Sequence, residues 1–328
     1  MKVLVTGGSG FLGSYIAEQL AREGHVVRAL VRKSSNRKFL EKLSSLEFAE
    51  GSVEEEGAVD EAVKGVDAII HSAGLVKARN KEEFFATNVT GTTNLLASAK
   101  RHAPKLKRFV FVSSLAAVGP SADGAPVSSA NGPGPVTEYG RSKLAAERAV
   151  FAEKDSLPVT VIRPPLIYGP RDNETFAFFK SISQGVLPVL GDGKNTLSVV
   201  FASDAAAACV RAIDADVASG SAYFVDDGEV YVWREALADV ERALGKKAFV
   251  RFGLPLGILK AAAVFSEAFG KMQDKAVMLT RDKINELEQR HWVCSSHDTR
   301  KELGWKPEVQ WREGTERAVK WYRENGWL

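Results

Sequence analysis

Three glycines spaced three residues apart, directly after a short apolar run, constrain this chain more than any other feature. The run Lys2–Val5 is rich in β-branched residues, as buried strands are, and it leads into Thr6–Gly13 (TGGSGFLG), where a tight turn opens a helix. Glycine permits the turn and the close approach of a ligand, and the helix N-terminus offers free N–H groups to phosphates. The spacing predicts a dinucleotide site, with a glycine-rich turn in an ordinary α/β protein as the alternative. The predicted site residues here are Gly7, Gly10, Phe11, Leu12 and Gly13.

Length and composition are those of an ordinary globular protein. The 328 residues, 45% hydrophobic and 26% charged, can bury one large core or two modest ones. A net charge of +3 without a lysine-arginine stripe argues against nucleic acid as a partner. Cys209 and Cys294 give no disulfide framework and suit a reducing cytoplasm, and the first apolar run is too short for a secretory signal. No stretch reaches the roughly 18 apolar residues of a membrane span, so we expect a cytoplasmic protein without a transmembrane segment.

The end of the second predicted strand, His25–Arg32, bears on the choice of dinucleotide. In dinucleotide folds an acidic residue at this point binds the ribose 2′-hydroxyl, whereas a basic residue accommodates a 2′-phosphate. Arg32 and Lys33 stand here and no acid does, which favours NADP(H) over NAD(H). The alternative is a solvated basic loop.

Strands alternate with helices through the first half of the chain. This pattern predicts an α/β fold with a doubly wound parallel sheet. The further predicted strands are Leu46–Gly51, Val66–His71, Lys107–Ser114, Val159–Arg163, Leu197–Phe201 and Ala222–Val225. The predicted helices include Glu54–Lys64, Glu82–His102, Tyr139–Val150, Glu174–Gln184 and Trp233–Leu244. We expect a dinucleotide-binding domain at 1–170, to which 197–225 returns, a smaller substrate-binding lobe mainly at 171–328, and a mobile loop over Gly119–Pro135.

Small and polar residues end two of these strands, at the sheet edge where open α/β sheets bind ligands. Ser113 and Ser114 place two hydroxyl groups at the end of the fifth strand. His71 ends the fourth strand and is interpreted as a structural residue held by hydrogen bonds rather than as an acid-base group. Three small residues that would let a cofactor lie against the backbone follow it, namely Ser72, Ala73 and Gly74.

A tyrosine and a lysine one helical turn apart carry the predicted chemistry. The i, i+4 spacing of Tyr139 and Lys143 puts the phenol and the ammonium on one helix face. Alone, this spacing is usually a chance pair, but here it follows a dinucleotide loop and the strand-end Ser114. A nearby ammonium lowers the pKa of a phenol from about 10, which suits proton transfer at neutral pH.

Taken in order, the motifs of this chain resemble the extended branch of the short-chain dehydrogenase/reductase superfamily, and most of all its 3β-hydroxysteroid dehydrogenase and dihydroflavonol reductase group. The motifs are TGGSGFLG from Thr6, HSAG from His71, NVTGT from Asn88, SSLAAVG from Ser113, YGRSK from Tyr139, RPPLIYGP from Arg163, GDG from Gly191 and ELGWKP from Glu302. The resemblance implies a dinucleotide-binding Rossmann domain, in which Arg32 and Lys33 favour NADP(H), and a homodimer through the helices Glu82–His102 and Tyr139–Lys154.

The resemblance also implies roles for single residues. Ser114, Tyr139 and Lys143 match the catalytic trio: the serine would steady the oxyanion that forms as hydride reaches a ketone, and the tyrosine would supply the proton. Asn88 matches a structural asparagine of the family. The other residues implied beside the cofactor, with the glycine loop, Arg32 and Lys33, are Ser52, Val53, Ser72, Ala73, Gly74, Ser113, Pro164 and Ile167.

Departures from the family pattern narrow the expected substrate. Ser52 replaces an aspartate that reaches the adenine in many members. Leu115 and Ala116 replace the Asp-Glu pair that dehydratases use to move protons. Leu197 replaces an arginine that holds nucleotide phosphates in many epimerases, so we expect it only to shape the pocket. These changes favour a mostly apolar ketone or secondary alcohol, hydroxysteroid-like or dihydroflavonol-like. The alternatives are a nucleotide-sugar 4-epimerase with tightly bound NAD and, in another class, a non-catalytic dinucleotide sensor.

The last third of the chain has one further feature of interest, the apolar helix Leu256–Phe269. Ile258, Phe265 and Phe269 share one of its sides, which could pack on the core, wall a pocket or contact a membrane surface. Cys294 and His297 have ligand-like spacing, but two ligands do not make a zinc site, so we expect no metal. Asp204 is interpreted as a structural cap, and the late tryptophans, at 292, 305, 321 and 327, as core or interface residues.

Overall fold

The chain folds around a parallel β-sheet of seven strands. The computed structural model describes residues 1–129, 131–190, 192–254, 256–277 and 279–328. The strands are β1 (Lys2–Thr6), β2 (Val26–Val31), β3 (Leu46–Glu50), β4 (Ala68–His71), β5 (Arg108–Val112), β6 (Val159–Arg163), β7 (Leu166–Tyr168), β8 (Val186–Leu190), β9 (Thr196–Leu197), β10 (Val199–Phe201), β11 (Ser221–Phe224), β12 (Tyr231–Val232), β13 (Val250–Leu254) and β14 (His291–Trp292). The α-helices are α1 (Phe11–Arg22), α2 (Glu56–Val63), α3 (Lys81–Phe85), α4 (Gly91–His102), α5 (Leu115–Val118), α6 (Glu138–Ala152), α7 (Asn173–Ser183), α8 (Ala202–Asp214), α9 (Trp233–Leu244), α10 (Leu256–Met272), α11 (Arg281–Leu287), α12 (His297–Glu302) and α13 (Trp311–Glu324).

The order of the strands in the large sheet is β3-β2-β1-β4-β5-β6-β11, and neighbouring strands are parallel throughout. Helices α1 and α8 pack on one face, and α2, α4 and α6 pack on the other. This is the doubly wound Rossmann arrangement, so the predicted fold class is confirmed. The chain reverses its direction of winding between β1 and β4, and a crevice at the carboxyl ends of these strands is the usual ligand site of such a sheet.

Local capping explains where the helix that carries the tyrosine begins. The Thr137 side chain accepts a hydrogen bond from the Gly140 N–H, so α6 begins one residue before the predicted Tyr139. The predicted helix Glu82–His102 is one helical segment, but a π-helical turn, Ala86–Thr90, interrupts it between α3 and α4. The GDG motif that begins at Gly191 falls partly outside the described residues.

The chain after β6 adds three small sheets to the large one. Strand β7 pairs with β10, β8 with β13, and β9 lies between β12 and β14. Their apolar side chains form a separate core with α7, α9 and α13. None of the helices within the described residues is long and apolar enough to cross a membrane.

Asp204 joins this part of the chain to the C-terminal segment, as its predicted structural role requires. Its carboxylate accepts hydrogen bonds from the N–H groups of Glu308 and Val309, at 3.0 and 2.9 Å. Trp305 is buried and donates its indole N–H to the Asp204 carbonyl oxygen at 2.9 Å. The prediction that the late tryptophans pack in the core holds for Trp305, while Trp321 and Trp327 pack at the edge of the C-terminal core.

Two expectations from the sequence are wrong. Leu197 does not shape the pocket; it is 8% exposed and packs in the core of the small sheets, against residues such as Tyr168. Within the segment Gly119–Pro135, residues 121–127 are held rather than loose, because the Ser121 and Val127 N–H groups donate to the carbonyl oxygens of residues 291 and 293. In both cases the partner is remote in sequence, and the local pattern does not reveal it.

A buried ion pair fastens α6 to the sheet. Both carboxylate oxygens of Glu147 accept hydrogen bonds from the Arg163 guanidinium, at 2.9 and 2.8 Å, and the Glu147 side chain has no exposed surface. Replacing Glu147 by alanine leaves a buried charge unpaired, so we expect the free energy of unfolding to fall by about 3–5 kcal/mol in urea denaturation. Glu61→Ala, which breaks an exposed pair with Lys64, is the matched control and should change little. Equal losses in the two variants would contradict the assignment.

Candidate active site

The glycine loop packs backbone against backbone at the ends of β1 and β4. Gly7 has φ +70°, and a Cβ there would lie 2.7 Å from the backbone nitrogen of Ala73. A Cβ on Gly13 would lie 2.1 Å from the Gly7 carbonyl oxygen, so only glycine lets α1 approach the loop this closely. By contrast, the only atom near a Cβ on Gly10 would be that same carbonyl oxygen, at 3.1 Å, and the space beyond it is open. The loop therefore exposes its backbone at Gly10.

Helix α1 begins directly at this exposed backbone. Gly10 is its N-cap in an extended conformation and has no side chain to occupy the first N–H groups. Leu12 is buried in the core, and the Phe11 ring packs edge-on against Tyr15 at 6.0 Å between centroids. The helix start is thus rigidly anchored, and its N–H groups and positive dipole end point into the crevice.

The basic residues after β2 divide into two pairs. Arg32 and Lys33 are exposed, and the Arg32 N–H donates to the Ser35 hydroxyl at 3.1 Å. Arg37 is instead engaged by Glu50, at 3.3 Å, and by the ring of Phe48. Unlike Arg37, the exposed Arg32 and Lys33 side chains have no ion-pair partner among the described residues.

His71 is a structural residue, as the sequence predicts. Its Nδ1 lies 2.6 Å from the Thr6 hydroxyl and its Nε2 lies 2.9 Å from the Thr92 hydroxyl. Burial, with a smaller contribution from the Lys143 charge, lowers the pKa of His71 to about 3, so the ring is neutral at physiological pH. The Thr6 hydroxyl also accepts the Ala73 N–H at 3.2 Å, which fixes the turn after β4.

Asn88 lies on the π-helical turn and ties that turn of the chain to α6. Its carboxamide accepts the Leu75 N–H at 2.7 Å and donates to the Leu75 carbonyl oxygen at 3.1 Å. It also donates to the Ser142 hydroxyl at 2.9 Å, and that hydroxyl donates to the Tyr139 carbonyl oxygen at 2.7 Å. The side chain is 1% exposed, so its hydrogen bonds connect segments inside the protein rather than at the surface.

Ser114, Tyr139 and Lys143 come together at the carboxyl end of β5. The Ser114 hydroxyl, which caps α5 by accepting the Ala116 N–H at 3.1 Å, also hydrogen-bonds with the Tyr139 phenol. The buried Lys143 ammonium donates to the Val112 carbonyl oxygen at 2.8 Å. The structure thus brings the three predicted catalytic residues into one cluster.

Burial pushes the pKa values of the two titratable members in opposite directions. It raises the pKa of Tyr139 to about 12, against a lowering by the Ser114 hydrogen bond, and the Glu286 carboxylate adds a further rise. It lowers the pKa of Lys143 to about 8, partly offset by the nearby Glu147. The sequence led us to expect a phenol pKa depressed by Lys143. In this structure the phenol pKa is instead raised, and desolvation of the phenolate is the largest cause.

Three of the other predicted cofactor residues, Gly74, Ser113 and Pro164, lie close to this cluster. Gly74 faces the site, because a Cβ there would lie 3.2 Å from the Lys143 ammonium nitrogen. The Ser113 hydroxyl is buried without a hydrogen-bond partner among the described residues. The Pro164 carbonyl oxygen accepts the Leu115 N–H at 2.8 Å, and so aligns the start of α5.

Three more of the predicted cofactor residues make packing or backbone contacts within the protein. Val53 is 5% exposed, and its side chain fills the space beside Gly91, where a Cβ would lie only 2.5 Å away. The Ser52 carbonyl oxygen accepts the Glu55 N–H and opens the turn before α2. Ile167, on β7, packs against the core that contains α1.

A cavity of about 590 Å³ opens beside Tyr139. Its walls come from the segment after β4, from the start of α6, and from α10, α11 and the segment between them. Charged side chains make up much of the wall, namely Lys77, Arg79, Lys81, Glu138, Glu267, Lys271, Asp274, Lys275, Asp282, Lys283 and Glu286. The apolar part of the wall includes Val76, Ala78, Phe84 and Val277. The wall therefore combines charged groups with apolar surface, which includes the aliphatic parts of its long side chains.

Two residues beside Tyr139 could not be identified from the sequence. The Phe84 ring lies 6.2 Å from the Tyr139 ring, centroid to centroid, and is 9% exposed. Glu286 reaches the cavity from α11, nearly 150 residues later in the chain. Neither belongs to a motif, and only packing brings them to the phenol.

Cys294 and His297, the residues considered above as metal ligands, do not form a metal site. Cys294 is buried and His297 is exposed, so their side chains do not converge. Burial raises the pKa of the Cys294 thiol well above its usual value, which disfavours the thiolate that binds metals. Across the described part of the chain, no group of three or more histidine, cysteine, aspartate or glutamate side chains could hold a metal ion.

Comparison with known proteins connects this site to a family. The model of the NAD dependent epimerase/dehydratase family matches residues 3–225. A ceramide reductase of Caulobacter vibrioides is 34% identical over 99% of this chain and 96% of its own length. A 2-alkyl-3-oxoalkanoate reductase of Stenotrophomonas maltophilia is 29% identical over 97% of this chain and 98% of its own. The crystal structure of a DesIV double mutant, a dTDP-glucose 4,6-dehydratase from Streptomyces venezuelae with NAD and DAU bound, is 25% identical with a TM-score of 0.81, and covers 100% of this chain and 99% of its own.

The charge of Glu286 should be visible in the titration of Tyr139. In Glu286→Gln we expect the phenol pKa to fall from about 12, because a negative charge that disfavours the phenolate is removed. Tyrosinate absorbance after rapid pH jumps measures it, with Tyr139→Phe as the blank. Glu288→Gln, on the same segment but paired with Lys260, is the control and should leave the pKa unchanged. An unchanged or higher pKa in Glu286→Gln would contradict the assignment.

Proposed function

Because this chain belongs to the NAD dependent epimerase/dehydratase family, whose members are NAD(P)-dependent enzymes, we propose that it is an NADP(H)-dependent oxidoreductase that interconverts a ketone and a secondary alcohol. The observation that carries the proposal is the cluster at the end of β5. There the Tyr139 phenol lies beside the Ser114 hydroxyl. The Lys143 ammonium donates a hydrogen bond to the carbonyl oxygen of Val112, two residues before Ser114.

The described residues fit a dinucleotide. The open space beyond Gly10 and the start of α1 suit a pyrophosphate, and the buried Ser113 hydroxyl is a hydrogen-bonding group without a partner among the described residues. The residues that would hold the cofactor are Gly7, Gly10, Phe11, Leu12, Gly13, Arg32, Lys33, Ser52, Val53, Ser72, Ala73, Gly74, Asn88, Ser113, Tyr139, Lys143, Pro164 and Ile167. A nicotinamide bound here supplies the hydride for ketone reduction and accepts it in the reverse reaction.

Tyr139 is the proton donor in this proposal. With a pKa of about 12 the phenol is protonated at neutral pH, as reduction of a ketone requires. The proton goes to the carbonyl oxygen while the hydride goes to the carbonyl carbon, and Ser114 donates a hydrogen bond to the same oxygen as its negative charge develops. Oxidation of an alcohol would instead need the phenolate as base.

The substrate we propose is a small molecule with a large apolar part and polar substituents near the reacting carbonyl. Two relatives are reductases by name, of a ceramide and of a 2-alkyl-3-oxoalkanoate. Both names describe alkyl chains with polar groups. The charged wall of the cavity supports such an amphiphile better than a wholly apolar ring system.

A nucleotide-sugar epimerase or dehydratase is the less favoured function. Leu115 and Ala116 are buried in α5 and carry no group that could move a proton. Leu197 is a core residue, so no arginine reaches a nucleotide phosphate from that position. A non-catalytic sensor has no need of the assembled cluster at Tyr139.

We also propose that residues 1–170 bind the cofactor and that 171–328 mainly bind the substrate, since α10 and α11 supply much of the cavity wall. We further propose a homodimer through α4 and α6, which rests on the family resemblance, and a cytoplasmic location, which rests on the two cysteines that form no disulfide. Neither affects the chemistry at Tyr139.

The proposed cofactor preference depends on Arg32. In Arg32→Asp we expect about tenfold or greater loss of NADPH affinity and a gain in NADH affinity, because a charge-assisted contact becomes a repulsion. Titration of the fluorescence of each reduced cofactor measures both affinities. Arg37→Asp, whose guanidinium is already engaged by Glu50, is the control and should shift the preference less. An unchanged preference in Arg32→Asp refutes the 2′-phosphate assignment.

The proposed chemistry depends on the phenol of Tyr139. In Tyr139→Phe we expect kcat for ketone reduction to fall by about a hundredfold or more, with NADPH binding retained, because only the proton donor is removed. Tyr223→Phe removes a hydroxyl that binds Glu302, remote from the site, and serves as the control. Full turnover by Tyr139→Phe would refute the mechanism.

A further inference from the structure

Helix α10 presents a row of large apolar side chains to solvent. Ile258, Phe265, Phe269 and Met272 are 59, 76, 55 and 75% exposed. At 100° per residue these four lie within a narrow sector of the helix, and we call them the exposed stripe. A contiguous apolar patch of this kind usually marks an interaction surface.

The opposite side of α10 attaches it to the protein. Leu259 and Ala263 are buried and pack with Ile284 of α11 in a small cluster of their own. The sequence alternative in which the side with Phe265 and Phe269 packs on the core is therefore wrong. One side of the helix is anchored, and the more apolar side is left uncovered within the described residues.

Lysines lie at the C-terminal end of the stripe. Lys271 and Lys275 are exposed there, whereas Lys260, beside the first turns, is paired with Glu288 at 2.7 Å. An amphipathic helix with bulky apolar residues on one side and lysines at one end is typical of segments that lie in a membrane interface, where the ammonium groups meet lipid phosphates.

We propose that α10 docks this protein on a membrane that contains anionic lipids, with the exposed stripe among the acyl chains and Lys271 and Lys275 at the phosphates. A second copy of the chain fits less well. Four partly exposed side chains offer roughly 400–500 Å², short of the about 800 Å² per partner of a standard protein interface. A second copy would also bring the same lysines toward the first.

The exposed stripe lies next to the cavity beside Tyr139, so docking would affect how a substrate reaches that cavity. Glu267, Gly270 and Lys271 face the cavity from the C-terminal half of α10, and Met272 ends the stripe one residue later. A docked helix would place the cavity beside the lipid, from which an amphiphilic ketone could enter. This last step rests on the proposed function; the docking itself rests on the stripe and the lysines alone.

The test is binding of the purified full chain to vesicles, measured by co-sedimentation. We expect binding to phosphatidylcholine vesicles that contain phosphatidylglycerol, weaker binding to phosphatidylcholine alone, and weakening by salt. In Phe265→Ser/Phe269→Ser the partition coefficient should fall by about tenfold or more, since two exposed aromatic rings are lost from the inserted surface. Val264→Ser is the matched control, because Val264 is 51% exposed on the same helix but lies off the stripe.

Three outcomes overturn the proposal: no vesicle binding by the unmodified chain, equal binding by the double variant, or sedimentation velocity that shows the stripe holding two copies together. Failure of the proposed function has a separate readout. If the double variant loses vesicle binding while no ketone is reduced by any variant, docking stands and the proposed reaction falls. If the double variant loses vesicle binding and still reduces a water-soluble ketone normally, both stand.

Discussion

A chain of buried hydrogen bonds joins the glycine loop to the helix that carries the tyrosine, and the geometry of the site depends on it. It runs through Thr6, His71, Thr92, Asn88, Ser142 and Tyr139. The Thr92 hydroxyl donates to the Asn88 carbonyl oxygen at 2.6 Å, which closes the link across the π-helical turn. Each donor and acceptor is withdrawn from water, so losing one partner leaves another buried and unsatisfied. The network therefore holds the two halves of the crevice in one arrangement.

Burial rather than charge pairing dominates the electrostatics of this cluster. Tyr139 and Lys143 both shift toward their neutral forms, and His71 is held neutral between them and the sheet. Only Glu147, fixed by Arg163, acts to keep Lys143 charged. A protonated phenol beside a serine hydroxyl is the state from which a ketone is reduced, so the desolvated environment and the proposed role of Tyr139 as proton donor are consistent.

How well each part of the site could be predicted depends on how far apart in the chain the contacting residues lie. Gly7, Gly13, Tyr139 and Lys143 could be assigned from spacing, because a tight turn and an i, i+4 pair are local geometry. The pKa of Tyr139 could not, because it depends on the burial of the phenol and on Glu286 of α11. An ammonium at the right spacing predicts a lowered pKa only if desolvation is small, and here it is not.

The sequence by itself determined the order of strands and helices, the turn at Gly7 and the shared face of Tyr139 and Lys143, since each depends on residues within a few positions of one another. Tertiary structure alone decided that Leu197 is a core residue, that 121–127 is tied to 291–293, and which side of α10 is uncovered. Amphipathic spacing identifies the apolar side of a helix, but not whether another element covers it. That depends on the packing of segments far apart in the chain, where long-range burial competes with local preference.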